Sequence, residues 1–412
     1  MNCKQIVSIL LLATLTIACK EQGKNQPSPA TESEISILQN PAGENSAMPR
    51  LFSDGQDLYM SWVQVADSVS SLHYAKLQQG EWSSAEEIIS GSDWFVNWAD
   101  FPAIAANNGH ILTNFLQKSA DGTYTYDVKL NCFDAGTSTW KKDFILHTDG
   151  TKSEHGFVSV IPYEDNGFFV SWLDGRNTMA AGHDDHTSHG GGAMTLRAAV
   201  VNGKGEISSE VELDDRVCDC CQTSTAMTTN GPIVVYRDRS EDEIRDISII
   251  RRVNEEWLAP QIIGTDHWLI KGCPVNGPAV DAIENSVAVA WFTAEGGEGK
   301  VNLVFSEDGG ASFGKAIRID SGNATGRVDV AMLNKQEAAV VWMEPQAEEE
   351  VLQLRIVNSK GAVKDPVTIS KTTPGRSSGF PQIEKLENRL MLAWTVISAD
   401  QKEIRVATYD FK

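Results

Sequence analysis

Seven short apolar runs punctuate the chain, and each carries one aromatic at or near its end. They are DLYMSW ending at Trp62, HILTNF at Phe115, GFFVSW at Trp172, PIVVYR with Tyr236, SVAVAW at Trp291, EAAVVW at Trp342 and RLMLAW at Trp394. Successive aromatics stand 53, 57, 64, 55, 51 and 52 residues apart. The runs are rich in β-branched and aromatic residues and follow turn sequences such as SDGQ, EDNG and TTNG, so each predicts a strand.

A second apolar segment precedes every run (PRLF, FPAIAA, FVSVIP, TSTAM, PAVDAI, VDVAML and PQIEKL), and a third strand follows. Six of the seven repeats go on to a tight hairpin such as LQQGEW, VNGKGEI or VNSKGAV, whereas the last ends at IRVATYDFK. The outer strand it lacks is available as SEISIL, residues 34–39. Four antiparallel strands repeated around an axis and closed by a strand from the other end predict an all-β, seven-bladed β-propeller over residues 34–412. Separate sandwiches would need about 100 residues each, twice the observed repeat.

One hairpin, SEDGGASF, combines Ser306, Asp308, Gly310 and Phe313. Asp308 is placed to accept N–H bonds across the turn, Gly310 to take a positive φ, and Phe313 to plug the hairpin into its blade. FDAGTSTW at 133–140 is a degenerate copy. The chain resembles the sialidase/BNR (Asp-box) repeat propellers. The Asp-box is a structural element, so the resemblance implies a fold more than a reaction. Any activity it implies is exo-sialidase-like glycoside hydrolysis, although sialidases have six blades.

The first residues, MNCKQIVSILLLATLTIAC, place Lys4 before an apolar stretch too short to span a bilayer. They resemble a lipoprotein signal over 1–18, with Cys19 as the lipidated residue and a polar tether at 19–33. This predicts an exported, monomeric protein anchored to a membrane of the bacterial envelope. The formal charge is -21, which disfavours nucleic acid as a partner.

In a propeller, the loops entering the blades share one face with the loops between second and third strands. Most unusual residues fall on that face. Arg176, Arg237, Arg239, Arg245 and Arg327, with Arg50 and Arg376 as additions, could clamp a carboxylate as in the resembled sialidases; internal pairing within RDRSEDEIRD is the alternative. Asn276, Trp98 (with Trp94) and His155 complete the expected ligand-binding set for a glycan or other carboxylated molecule. Asp100, Asp174, Asp238, Glu243 and Asp246 are the acid candidates. The resemblance also requires a tyrosine beside a carboxylate; Tyr124 and Tyr126 lie near this face, whereas Tyr236 belongs to a blade.

Cys218, Cys220 and Cys221 crowd into CDCC, and Cys273 lies in GCPVNGP. Export favours a disulfide brace between adjacent entry loops. The competing reading is a copper or zinc site drawing on these thiols and on His183, His186 and His189 of the glycine-rich loop. Cys132 reads as a buried small hydrophobe. A purely structural or partner-binding propeller is the third reading.

Overall fold

The computed structural model describes residues 35–178, 192–361, 364–398 and 401–411. The signal-like segment, Cys19, the tether, and His183, His186 and His189 lie outside the described residues. Seven antiparallel sheets follow one another along the chain. Their first strands are Ser46–Ser53, Ile104–Asn107, His155–Tyr163, Ser224–Thr228, Ala279–Ile283, Gly326–Asn334 and Gln382–Leu386. All seven contribute to the wall of a central cavity, so the first strand of each blade is innermost. The fold is the seven-bladed β-propeller. The seventh blade takes its outer strand, Ile35–Leu38, from the other end of the chain, paired with Gln401–Asp410 in the register Ile35 to Tyr409 and Leu38 to Val406.

The fifty-residue period has a packing cause. Each repeat aromatic sits in the second strand of its blade and packs against the preceding blade. Trp342 lies among Phe292, Val301 and Leu303, Trp291 among Val235, Ile247 and Ile249, and Trp172 among Leu112, Val128 and Leu130. Trp62 closes the ring against Met391, Ala393, Ile404 and Val406 of blade seven. In three blades an acid meets the indole N–H: Trp172 donates to Asp174, Trp291 to Asp266 and Trp342 to Glu344, at 2.7–2.9 Å.

The entrances to three blades share a second device. Met48, Phe157 and Arg327 have left-handed φ of 57°, 54° and 56°, at bulges where the first strand slips register against the second. Their turned-out N–H groups are taken by the preceding blade. Met48 donates to Thr395 Oγ1 (3.2 Å), Phe157 to Asp100 Oδ1 (2.7 Å) and Arg327 to Asn276 Oδ1 (2.7 Å). Asp100 and Asn276 occupy matching positions in DFPAI and NGPAV, so the clamp needs an acceptor oxygen but no charge. Two glycines make room for it. A Cβ on Gly156 would stand 2.0 Å from Asp100 Oδ2, and one on Gly326 (φ +92°) 2.4 Å from Asn276 Oδ1.

In the SEDGGASF hairpin, Asp308 Oδ1 accepts from Ser306 Oγ (2.7 Å) and Ser312 N (2.9 Å). Gly310 has φ +81°, and Phe313 packs at the junction of blades four and five.

Trp342→Ala is expected to cost about 3–5 kcal/mol, measured by urea denaturation; a loss under about 1 kcal/mol would contradict the packing account. Deleting Ile35–Leu38 uncovers the Gln401–Asp410 strand as a free edge. Light scattering should then show more self-association than the intact chain does; equal scattering would contradict this.

Candidate functional site

The entry loops of blades two to five and of blade seven gather around one end of the axis. That end is narrow: its cavity is only ≈ 40 Å³ and is lined by Asp100, Gln222, Gly277, Phe380 and Gln382, among others. Gln222 pinches it, donating to Ala99 O (2.5 Å) and accepting from Gly277 N (2.9 Å). The larger cavity, ≈ 650 Å³, opens toward the opposite face through Ser53, Asp54, Gln56 and Asn108. Its walls carry Asp281, Asp329 and Glu384, and among the described residues Arg50 is the one cationic residue lining either cavity. Burial, and then neighbouring Asp281 and Asp329, push the Glu384 carboxyl well above its ordinary range. The axis is thus acid-walled, which disfavours an anion there.

The arginines do not converge on that axis. Arg237 is buried and donates to the backbone carbonyls of Asn276, Arg245 and Phe292, with Trp268 5.1 Å from its guanidinium carbon. Arg327 donates to Ser378 Oγ, Gly379 O and Gly375 O and lies 4.9 Å from the Trp98 ring, which also stacks on Phe380. Arg239 pairs with Asp219 and Glu243, and Arg245 with Glu243. Burial would raise the Glu243 carboxyl, but these two arginines bring it down to about 2. Arg176 grips Asp174 through Nε and Nη2, both at 2.7 Å. Arg50 donates to Gln382 (2.5 Å), and Arg376 is exposed. Asp238, raised to about 6 by burial, accepts from Arg239 N. Asp246 accepts from the backbone of His267 and Trp268, and Trp94 stacks on Phe115 where blades one and two meet.

What the fold does bring together is Asp100, Tyr126 and Glu154, from three separate stretches of chain. The Tyr126 hydroxyl lies 2.7 Å from Glu154 Oε1 and 3.3 Å from Asp100 Oδ2, and Phe95 stacks on its ring at 4.2 Å. Burial pushes Asp100 up to about 7, against the lowering effect of the Phe157 N–H and Tyr126 bonds. It pushes Glu154 up to about 8, with the charges of Asp100 and Asp219 adding to it. Tyr126 is held well above its ordinary value by burial and then by Glu154 and Asp100. Two carboxylic acids poised near neutrality on a shared phenol are a proton-donating arrangement. Tyr124 and Glu154 are only half-buried, so the group meets solvent.

Beside it runs a chain of imidazoles and carboxylates. His147 Nδ1 lies 2.7 Å from Asp149 Oδ1, and His155 Nε2 lies 3.4 Å from Asp149 and 3.7 Å from Asp174. The two imidazoles stack at 3.6 Å. Burial would lower His155, but Asp149 and Asp174 hold it raised; burial and then His155 lower His147. Glu154, His147 and Asp149 escaped the sequence reading of catalytic and ligand residues because no local spacing marks them; loops from separate blades assemble the site. The five cysteines of the described residues are free thiols, so the expected disulfide between entry loops is not formed. Cys132 is buried in the core between blades two and three.

No protein-family model and no curated protein sequence matches the chain. Solved structures do. A protein of unknown function from Dyadobacter fermentans is 12% identical, with a TM-score of 0.52 over 92% of this chain and 98% of that one. The polysaccharide lyase Uly1 is 10% identical, with a TM-score of 0.52 over 94% of each chain. A sialidase from Streptococcus pneumoniae is 9% identical, at a TM-score of 0.45 over 86% of this chain and 83% of that one. At these identities the likeness is one of fold alone.

Proposed function

We propose that the protein is an exported carbohydrate-binding propeller, tethered to a membrane of the bacterial envelope through Cys19. Its entry face engages the sugar, with Asp100, Tyr126 and Glu154 as the polar centre. The observation that carries this reading is the Tyr126 hydroxyl bridging two carboxyls whose pKa values are raised to about 7 and about 8. Neutral carboxyls donate as well as accept, which suits sugar hydroxyls and the protonation of a glycosidic oxygen. A propeller of this kind carries the polysaccharide lyase activity named for Uly1, and that supports the class of ligand without specifying it. Because Arg176, Arg237, Arg239, Arg245 and Arg327 already have internal partners, the reading does not require a carboxylate on the sugar.

The test is a screen of neutral and acidic oligosaccharides against the intact chain, followed by Tyr126→Phe and Glu154→Gln on any that bind. Tyr126→Phe removes the bridging hydroxyl and Glu154→Gln replaces the acidic O–H by a weaker amide donor, and each should weaken binding about 10-fold or more. A panel with no binder, or a binder indifferent to both substitutions, would overturn the proposal.

The same groups set a pH dependence. Asp100 and Glu154 have folded-state pKa values above the roughly 3.9 and 4.3 of unfolded chains. Their contribution to stability is therefore full below about pH 4 and is lost as pH rises through about 7 and about 8. In melting curves from roughly pH 5 to pH 9, Asp100→Asn with Glu154→Gln should flatten the decline. Asn276, which already performs the same clamp as a neutral side chain, is the reason to expect Asp100→Asn to fold. An unchanged decline would contradict the assignment.

A further inference from the structure

The CDCC turn plays no part in the carbohydrate reading, yet it is the densest cluster of soft ligands in the described protein. Cys218, Cys220 and Cys221 are all buried, and their Sγ atoms lie within 4.8 Å of one another. Cys218 Sγ and Cys221 Sγ approach to 3.5 Å, a hydrogen bond and not a disulfide. Two features of the backbone aim them inward. Cys218 N donates to Arg237 O across the blade-four entrance (3.0 Å), and the chain then turns so that the next two thiols face the same point. Cys273, from the neighbouring entry loop, is half-buried and packs against this cluster. It interacts directly with Cys220.

The surroundings match a thiolate centre rather than a simple hydrophobic packing of thiols. Arg245 Nη1 stands 3.2 Å from Cys218 Sγ, and its guanidinium is positioned by Glu243 at 2.8 Å. Arg239 and Asp219 extend the same network. A cation is thus supplied where a cluster of sulfurs would gather negative charge. Three thiolates around one ion at Zn–S distances of about 2.3 Å would stand roughly 4 Å apart, within the spread that these sulfurs already have.

We propose that Cys218, Cys220 and Cys221, with Cys273 able to complete the set, hold one thiophilic closed-shell metal ion, Cu(I) or Zn(II). Soft thiolates select these ions over hard cations. Each ligating thiol passes its proton to solvent as the ion enters. Arg245 offsets the remaining negative charge and fixes the sulfur it touches, as an outer-shell partner does. The proposal is independent of the sugar site, although the two adjoin through Tyr124 and Glu154.

The test uses the full chain, purified reduced and without oxygen. One portion is titrated with Cu(I) against a competing chelator and another with Zn(II) against a chromogenic one. Metal per chain, thiolate-to-metal absorption in the near ultraviolet and reactive thiols are then read on each. The expected result is one tightly held ion, with three or four thiols protected; the arm with the tighter competition identifies the metal. Cys220→Ser and Cys221→Ser should abolish retention while circular dichroism stays that of the parent. Arg245→Met should weaken binding about 10–100-fold. Cys132→Ser, far from the cluster, should change nothing. The proposal is overturned if neither ion is retained by reduced protein, or if folded Cys220→Ser and Cys221→Ser variants retain it equally. It is also overturned if Cys218 and Cys221 oxidise to a disulfide while an offered ion stays in solution. None of these outcomes bears on Tyr126→Phe or Glu154→Gln, so the two proposals fail separately.

Discussion

No blade of this protein can bury its own central aromatic. Each of these side chains completes its packing only against the sheet before it, and Trp62 finds its partners in blade seven, at the other end of the chain. The ring is therefore cooperative: each junction presumes its neighbours, and the Ile35–Leu38 strand locks the last to the first. Everything near the axis depends on this arrangement. The entry loops are held at fixed spacing, and the left-handed bulges at Met48, Phe157 and Arg327 are stable because a neighbouring blade takes each exposed N–H. Asp100 serves both purposes, clamping blade three with one oxygen and facing Tyr126 with the other.

Charge is distributed by the same logic. A chain with a net charge of -21 buries arginines where they meet backbone carbonyls, carboxylates or sulfur. Buried charges are retained when paired and hydrogen-bonded, and removing one partner strands the other. The run from His147 through Asp149, His155 and Asp174 to Arg176 links imidazoles, carboxylates and a guanidinium by successive contacts. Arg245 stands between Glu243 and the Cys218 sulfur. These networks stiffen the entry loops around the half-exposed Tyr124 and Glu154.

The fold was legible because its cause is periodic. Seven aromatics at a fifty-residue interval encode seven inter-blade junctions, and SEISIL stood out as a strand without a blade of its own. The site was less legible. Arg237 and Arg327 drew notice as a carboxylate clamp because a sequence records charge but not the backbone carbonyls that a guanidinium meets after folding. Glu154 sat unremarked in SEHG, since its importance comes from Tyr126, 28 residues away in the chain. The opposite cavity was missed for a similar reason. Asp281, Asp329 and Glu384 lie on inner strands and read as ordinary alternation until the ring sets them face to face.

Backbone hydrogen exchange on the full chain, with and without a bound oligosaccharide, tests the central claim most directly. The account predicts slowed exchange in the entry loops 94–101, 147–154 and 375–380, around Asp100, Tyr126 and Glu154. Protection confined to residues 53–56 and 107–109, at the mouth of the larger cavity, would contradict it and move the ligand to the opposite face.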